Sequence, residues 1–351
     1  MKLALFVLLV IMQMHASLSF AQDTASTGKI TGLMFSDYYY NAERDTFTTL
    51  KNVAYDGAKG QNGFQFRRIN FTYDYNISKK FSTRFRLEAA QNETFTNGKV
   101  GVFVKDAYLE WKNIFKGSDL IVGIQPTIAY TTTEQIWGRR YIERTIMDLR
   151  NIVDSRDFGI SLNGSFDEQS KITYGVMLGN NSGTTVENDK YKRVYAHLGF
   201  NPIKEFYVTL FSDYRAQPFV KIFGEEYNAD EFTQAIMFGY QKENHYSFGV
   251  ESFFDYIRTP EKKTLGVSIF ASAIFNELIS GFARYDFFDN DITEGHNWDT
   301  RNLFLAGLDF YPDKNVSISP NVAIETYAAL YDGTTIKPSI TPRITLFYKF
   351  F

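Results

Sequence analysis

The sequence predicts an all-β protein: a transmembrane, outer-membrane-type antiparallel β-barrel of about sixteen strands. Three observations carry this. Segments of about ten to fourteen residues alternate apolar and polar side chains, the length of a tilted strand crossing a bilayer. The connections between them alternate between tight and long. Aromatic residues make up 17% of the chain, with 34 Phe and 23 Tyr, which the aromatic girdles at the two faces of such a barrel would use.

The first element is an export signal. Met1 and Lys2 precede an apolar run from Leu3 to Met14, and small residues around Ser17, Ser19 and Ala21 suit a cleavage site. The run is shorter than the ~20 residues of a membrane-spanning helix. Cleavage after Ala21 gives a signal peptide over 1–21 and a single barrel domain over 22–351, and Gln22 in place of a cysteine argues against lipid attachment. Mean hydropathy is −0.26, as expected where only alternate residues of each strand face lipid. Without cysteines, the exported chain must be held by its own ladder of hydrogen bonds. A net charge of −3 and the lack of a basic stripe exclude nucleic acid as a partner.

Sixteen strands can be drawn, with cores at 28–40, 62–76, 80–92, 100–112, 118–130, 156–166, 171–181, 190–200, 204–217, 230–241, 245–257, 263–274, 278–289, 300–311, 315–328 and 340–351. Tight connections fall at 77–79, 167–170, 201–203, 242–244, 276–277 and 312–314, and long ones at 41–61, 131–155, 182–189, 218–229 and 290–299. This strict alternation means short periplasmic turns and long extracellular loops, with both termini in the periplasm. A soluble sandwich or propeller would show no such two-sided bias.

The faces within strands agree. Phe81, Thr83, Phe85, Leu87 and Ala89 share one side, while Ser82, Arg84, Arg86 and Glu88 share the other, which must be wet. Phe103, Ala107, Leu109 and Trp111 read as outward against Asp106, Tyr108, Glu110 and Lys112. Gly281, Ala283 and Tyr285 likewise oppose Ser280, Arg284 and Asp286. Arg67 and Lys105 fall on the apolar face in this reading, which suits them only near an interface or under a neighbouring subunit. The last strand, Ile344 to Phe351, ends on aromatic residues, its apolar positions in register with Phe350. It resembles the C-terminal signal read by the barrel-assembly machinery.

Several motifs carry a family resemblance. Phe64-x-Phe66-Arg67-Arg68, Phe81-x-x-Arg84-x-Arg86-x-Glu88, Asp106-Ala107-Tyr108-x-x-Trp111, Val122-Gly123-x-Gln125, Glu134-x-x-Trp137-Gly138-x-Arg140 and Ser155-Arg156-Asp157-x-Gly159 occur in that order. The chain resembles the phosphate-selective porin O and P family in its Bacteroidetes-type form, with specificity concentrated between residues 62 and 166. The resemblance implies a sixteen-stranded barrel, a homotrimer, and a third extracellular loop folded into the lumen. It also implies an outer-membrane channel for passive diffusion of small hydrophilic solutes, anionic or neutral. Family members with phosphate selectivity combine an arginine ladder with a lysine cluster. Here arginines stand at 68, 84, 86, 139, 140, 144, 150 and 156 without a dense lysine cluster, so a general or weakly anion-preferring pore is the expectation rather than a phosphate-specific one.

The constriction is expected in 131–155. Ile142, Ile146 and Leu149 recur at helical spacing, with Arg139, Arg140, Glu143, Arg144 and Asp148 between them, reading as one short amphipathic helix. Its charged side would meet Arg84, Arg86 and Glu88 across the lumen. Arg68, Arg84, Arg86, Glu88, Glu134, Arg139, Arg140 and Arg144 are therefore the candidate anion-interacting residues, because a guanidinium fork donates two parallel hydrogen bonds to an oxyanion. No cofactor and no metal are expected. Asp286, Asp289, Asp291 and Glu294 offer oxygens but form no calcium-loop motif, and read as a solvated acidic loop. A hydrolase or a non-channel adhesin is the alternative class. His197, His245 and His296 are widely separated and accompany no catalytic motif, so no enzyme is expected.

Overall fold

The computed structural model describes residues 27–46, 57–94, 97–217, 220–293 and 298–351; the expected signal peptide lies outside them. Sixteen antiparallel strands close into one barrel. They are β1 (Gly28–Tyr40), β2 (Asn62–Asn76), β3 (Phe81–Thr94), β4 (Val100–Phe115), β5 (Ser118–Pro126), β6 (Arg156–Ser165), β7 (Ile172–Gly179), β8 (Arg193–Phe200) and β9 (Phe206–Arg215). After a small ribbon of β10 (Val220–Ile222) and β11 (Glu225–Tyr227) follow β12 (Glu231–Lys242), β13 (Tyr246–Ile257), β14 (Lys262–Asn276), β15 (Ile279–Asp289), β16 (Arg301–Asp313), β17 (Val316–Tyr327) and β18 (Ser339–Phe350). β1 pairs with β18, so the sheet has no free edge and its strand backbone is satisfied without water, as a bilayer demands.

The ribbon β10–β11 stands apart from the wall, within the loop expected at 218–229. The alternation of connections is not strict. At the long-loop end, β13 and β14 are joined by residues 258–261 alone. The start of β1 at Gly28 and the end of β18 at Phe350 both lie at the tight-turn end, since the strand count is even.

Side-chain alternation follows from the pleat. Phe85, Leu109, Val122, Phe158, Val176, Leu198 and Phe304 are exposed on the outer face, while Glu88, Asp106, Ser161, Asp213, Ser280 and Asp286 are buried on the inner one. Two corrections arise from β-bulges. The β1–β2 register shifts between Phe35 and Ser36, leaving Arg67 as the extra residue, and the β3–β4 register shifts between Arg86 and Leu87, leaving Lys105 as another. Each extra residue turns inward rather than onto the apolar face. Arg67 meets Asp37 at 2.6 Å and Lys105 meets Glu88 at 3.4 Å. The second bulge also reverses the phase beyond it, so Phe103 pairs with inward Glu88, and Val102 takes the outer face at 60% exposure.

This register makes an expected result. The chain has no native thiol, so Arg86→Cys can be labelled alone. A membrane-impermeant charged thiol reagent should lower conductance through Arg86→Cys and leave Phe85→Cys unchanged. The reverse pattern would mean a register wrong by one residue.

Candidate functional site

Residues 127–155, between β5 and β6, run inside the barrel. The expected single helix is two: α1 (Thr131–Trp137) and α2 (Ile146–Leu149). The break has a local cause. Gly138 ends α1 in the left-handed region at φ 62°, where a glycine carries no Cβ penalty, and its N–H donates to the Glu134 carbonyl. Residues 139–145 then form the apex of the loop.

Apolar contacts hold the loop to the wall. Tyr130, Ile146, Met147 and Val153 pack with Met177, Tyr195, Phe211, Phe253 and Phe288 from β7, β8, β9, β13 and β15. Ile136, Trp137, Tyr141 and Ile142 pack with Phe35, Met237, Phe270 and Phe282. Gly239 of β12 permits this approach, because a Cβ there would collide with the Ile136 side chain. The lumen is therefore watery only in part; on the side of β7 to β9 and β12 to β15 the loop fills it with a dry core.

Polar anchors fix the apex. Thr133 donates to Glu251 at 2.9 Å, and the Arg139 Nε donates to Asp309 at 2.9 Å while its Nη2 donates to Ser280 at 3.0 Å. The Tyr141 hydroxyl donates to the other Asp309 oxygen at 2.9 Å. Arg67 donates to the Tyr141 and Ile142 carbonyls, Arg284 donates to that of Arg144, and Arg150 pairs with Glu325 at 2.7 Å.

What remains open is eccentric. A cavity of about 310 Å³ lies between the apex and the strands β1 to β4 and β18, lined by Arg68, Arg86, Glu88, Lys105, Glu134, Arg140, Arg156 and Lys349, with Leu33, Phe35, Tyr141 and Phe347 on its apolar side. A second cavity of about 540 Å³ lies toward the tight turns, beside Lys204, Glu205 and Asn244. Gly138 and Tyr141 border both cavities, which makes the apex the partition between them.

The lining is rich in cations that share their carboxylates. Glu88 takes Arg68 at 3.1 Å and Lys105 at 3.4 Å, and Asp106 takes Arg86 at 3.1 Å together with Arg156. Arg140 bridges Glu134 at 3.1 Å and Asp148 at 2.8 Å, tying the two helices together. Burial works against the charge of Asp148, but Arg140, Arg144 and Arg68 outweigh it and hold the carboxyl below its ordinary range. Asp148 is thus an anion at neutral pH. Even counting Asp106 and Asp148 with Glu88 and Glu134, the six lining cations leave a surplus of positive charge.

Of the candidate residues, the structure brings together Arg68, Arg86, Glu88, Glu134 and Arg140. It does not bring Arg84, Arg139 or Arg144 to this lining. Arg84 is held by Asp74 at 2.6 Å on the neighbouring strand, Arg139 is spent on Asp309, and Arg144 lies beside Asp148 at 3.6 Å. Lys105, Arg156 and Lys349 join instead. The loop oxygens also turn inward on themselves: Asp291 accepts from the Thr293 backbone, Asp289 from Thr300, and Asp299 from Asn290. Glu294 and His296 lie outside the described residues, and among those described no acidic or histidine group is arranged to hold a metal.

No protein-family model and no curated protein matches the sequence. Solved structures do. An anion-selective porin from Comamonas acidovorans aligns over 93% of this chain and 100% of its own, at 11% identity and a TM-score of 0.67. The fold is that of the outer-membrane porins. The outer membrane channel DcaP of Acinetobacter baumannii shares this porin fold over 94% of this chain and 99% of its own, at 10% identity and a TM-score of 0.66. The outer-membrane protein OmpT of Vibrio cholerae covers 94% and 99%, at 11% identity and a TM-score of 0.62.

Proposed function

We propose that the protein is an outer-membrane porin whose eccentric channel passes small hydrophilic solutes by diffusion, with a weak preference for anions. The carrying observation is the cation surplus around the cavity beside the loop apex. A narrow passage with low-dielectric walls focuses the field of such charges, so their sign biases which ion enters. Carboxylates remain among them, so the bias is partial.

The finer reading follows the sequence motifs: a relative of the phosphate-selective O and P porins, exported with its signal peptide removed, assembled through its C-terminal strand and trimeric in the outer membrane. The cavity supports an anion route but not phosphate in particular, because its arginines are shared with carboxylates of the wall and of the loop and no lysine cluster accompanies them. The test is the reversal potential of the purified protein in a planar bilayer under a potassium chloride gradient. A value on the chloride side of zero is expected; a potassium-side value would refute the anion preference, and no conductance at all would refute the channel.

A further inference from the structure

We infer that the cavity favours organic anions carrying a flat apolar body, aromatic carboxylates in the simplest case, over inorganic oxyanions and small aliphatic acids of similar charge. This rests on the anion-channel reading above and adds the substrate class. The cavity has two unlike walls. One is basic, with Arg68, Arg86 and Arg140 presenting guanidinium groups from β2, β3 and the loop. The other is apolar, made by Phe35, Tyr141 and Phe347.

The apolar wall is a built surface. Tyr141 and Phe347 stack at 4.6 Å between ring centroids with 12° between their planes, and the Tyr141 hydroxyl is held by Asp309. Phe35 carries the Arg68 guanidinium at 5.7 Å, so the same ring that bounds the cavity helps to position a basic group within it. An inorganic oxyanion meets the basic wall but gives up hydration against the rings and receives nothing there. A planar carboxylate with an aromatic body meets both walls: its charge is drawn to guanidinium groups that already share Glu88, Asp106, Glu134 and Asp148, while its ring covers apolar surface. The volume of about 310 Å³ lies at the small end of the range for small-molecule sites, so a single-ring solute fits the available space better than a larger one.

The experiment uses single channels in potassium chloride, with benzoate, acetate and inorganic phosphate added in turn. Benzoate should reduce the chloride current at about a tenfold lower concentration than acetate, a ratio typical of apolar discrimination, and phosphate should act no better than acetate. Phe347→Ser should bring benzoate to the level of acetate. Phe347→Leu, which keeps an apolar side chain, should retain part of the difference and serves if the serine variant yields no channels. Equal action of benzoate and acetate on the unmodified protein overturns the inference, as does phosphate matching benzoate or a benzoate effect that survives Phe347→Ser. Failure of the anion reading is seen separately, as a potassium-side reversal potential before any organic acid is added.

Discussion

Arg139→Ala is expected to raise the single-channel conductance and add slow current noise. Arg139 is the apex residue that crosses to the far wall, where its guanidinium meets Asp309 and Ser280 in a site with side-chain exposures of only 9% and 0% for the pair. Breaking a buried pair by removing one partner costs about 3–5 kcal/mol, because the other charge is left without compensation. Asp309 would keep donors from Tyr141, Ser280 and Ser319, which places the cost toward the lower end. Even about 3 kcal/mol shifts the balance between docked and undocked apex by roughly a hundredfold. The undocked apex would open the partition at Gly138 and Tyr141. Met147, Ile146 and Val153 would still hold the second half of the loop, so the barrel should assemble normally. Conductance steps in a planar bilayer check this, and steps identical to those of the unmodified channel would mean that the apolar packing alone fixes the apex.

The barrel was legible because its signals are periodic. Alternation along β3 places Arg86 and Glu88 inside and Phe85 outside without any knowledge of neighbouring strands, and the closed topology follows from the rhythm of the connections. What defeated the periodic reading was its own assumption of perfect period two. Arg67-Arg68 and Lys105-Asp106 are adjacent charges within strands, a pattern no simple alternation can seat. Each marks a bulge that turns both side chains inward. Read as a bulge signature, they would have delivered Lys105 to the site from sequence alone.

The loop was harder for a different reason. The periodic run Ile142, Ile146 and Leu149 was real as an apolar face, since all three are buried, yet it does not form one helix. Helical propensity yields here to tertiary anchoring: a left-handed Gly138 and the reach of Arg139 to β16 set the path. Which arginines face the water depends on contacts distant in sequence. Arg139 and Arg140 are neighbours with opposite fates, one used to pin the loop to Asp309 and the other left to bridge Glu134 and Asp148 beside the cavity. Lys349 could not be found without knowing that β18 closes on β1 and brings the end of the chain against the β1 to β4 wall.

Replacing Arg68 and Arg86 together with serine is expected to move the reversal potential from the chloride side toward the potassium side, whereas Arg84→Ser should move it little. The distinction comes from position. Arg68 and Arg86 line the cavity, while Arg84 is paired with Asp74 away from it. Removing the two lining charges leaves Glu88 with Lys105 and Asp106 with Arg156, so both carboxylates remain compensated and the surplus is cancelled rather than the wall disrupted. A unit charge at about 4 Å contributes about 1 kcal/mol in bulk water and about 4 kcal/mol at an effective dielectric constant of 20. With about 1.4 kcal/mol for each factor of ten, the double variant should change the chloride-to-potassium permeability ratio several-fold or more. Screening sets the salt dependence. The shift should be largest in dilute salt and shrink as the Debye length falls from ~10 Å at 0.1 M to ~3 Å at 1 M. A reversal potential that moves with Arg84→Ser but not with the double variant would place the selective charges below the apex, nearer the tight turns, and remove the cavity from its proposed role.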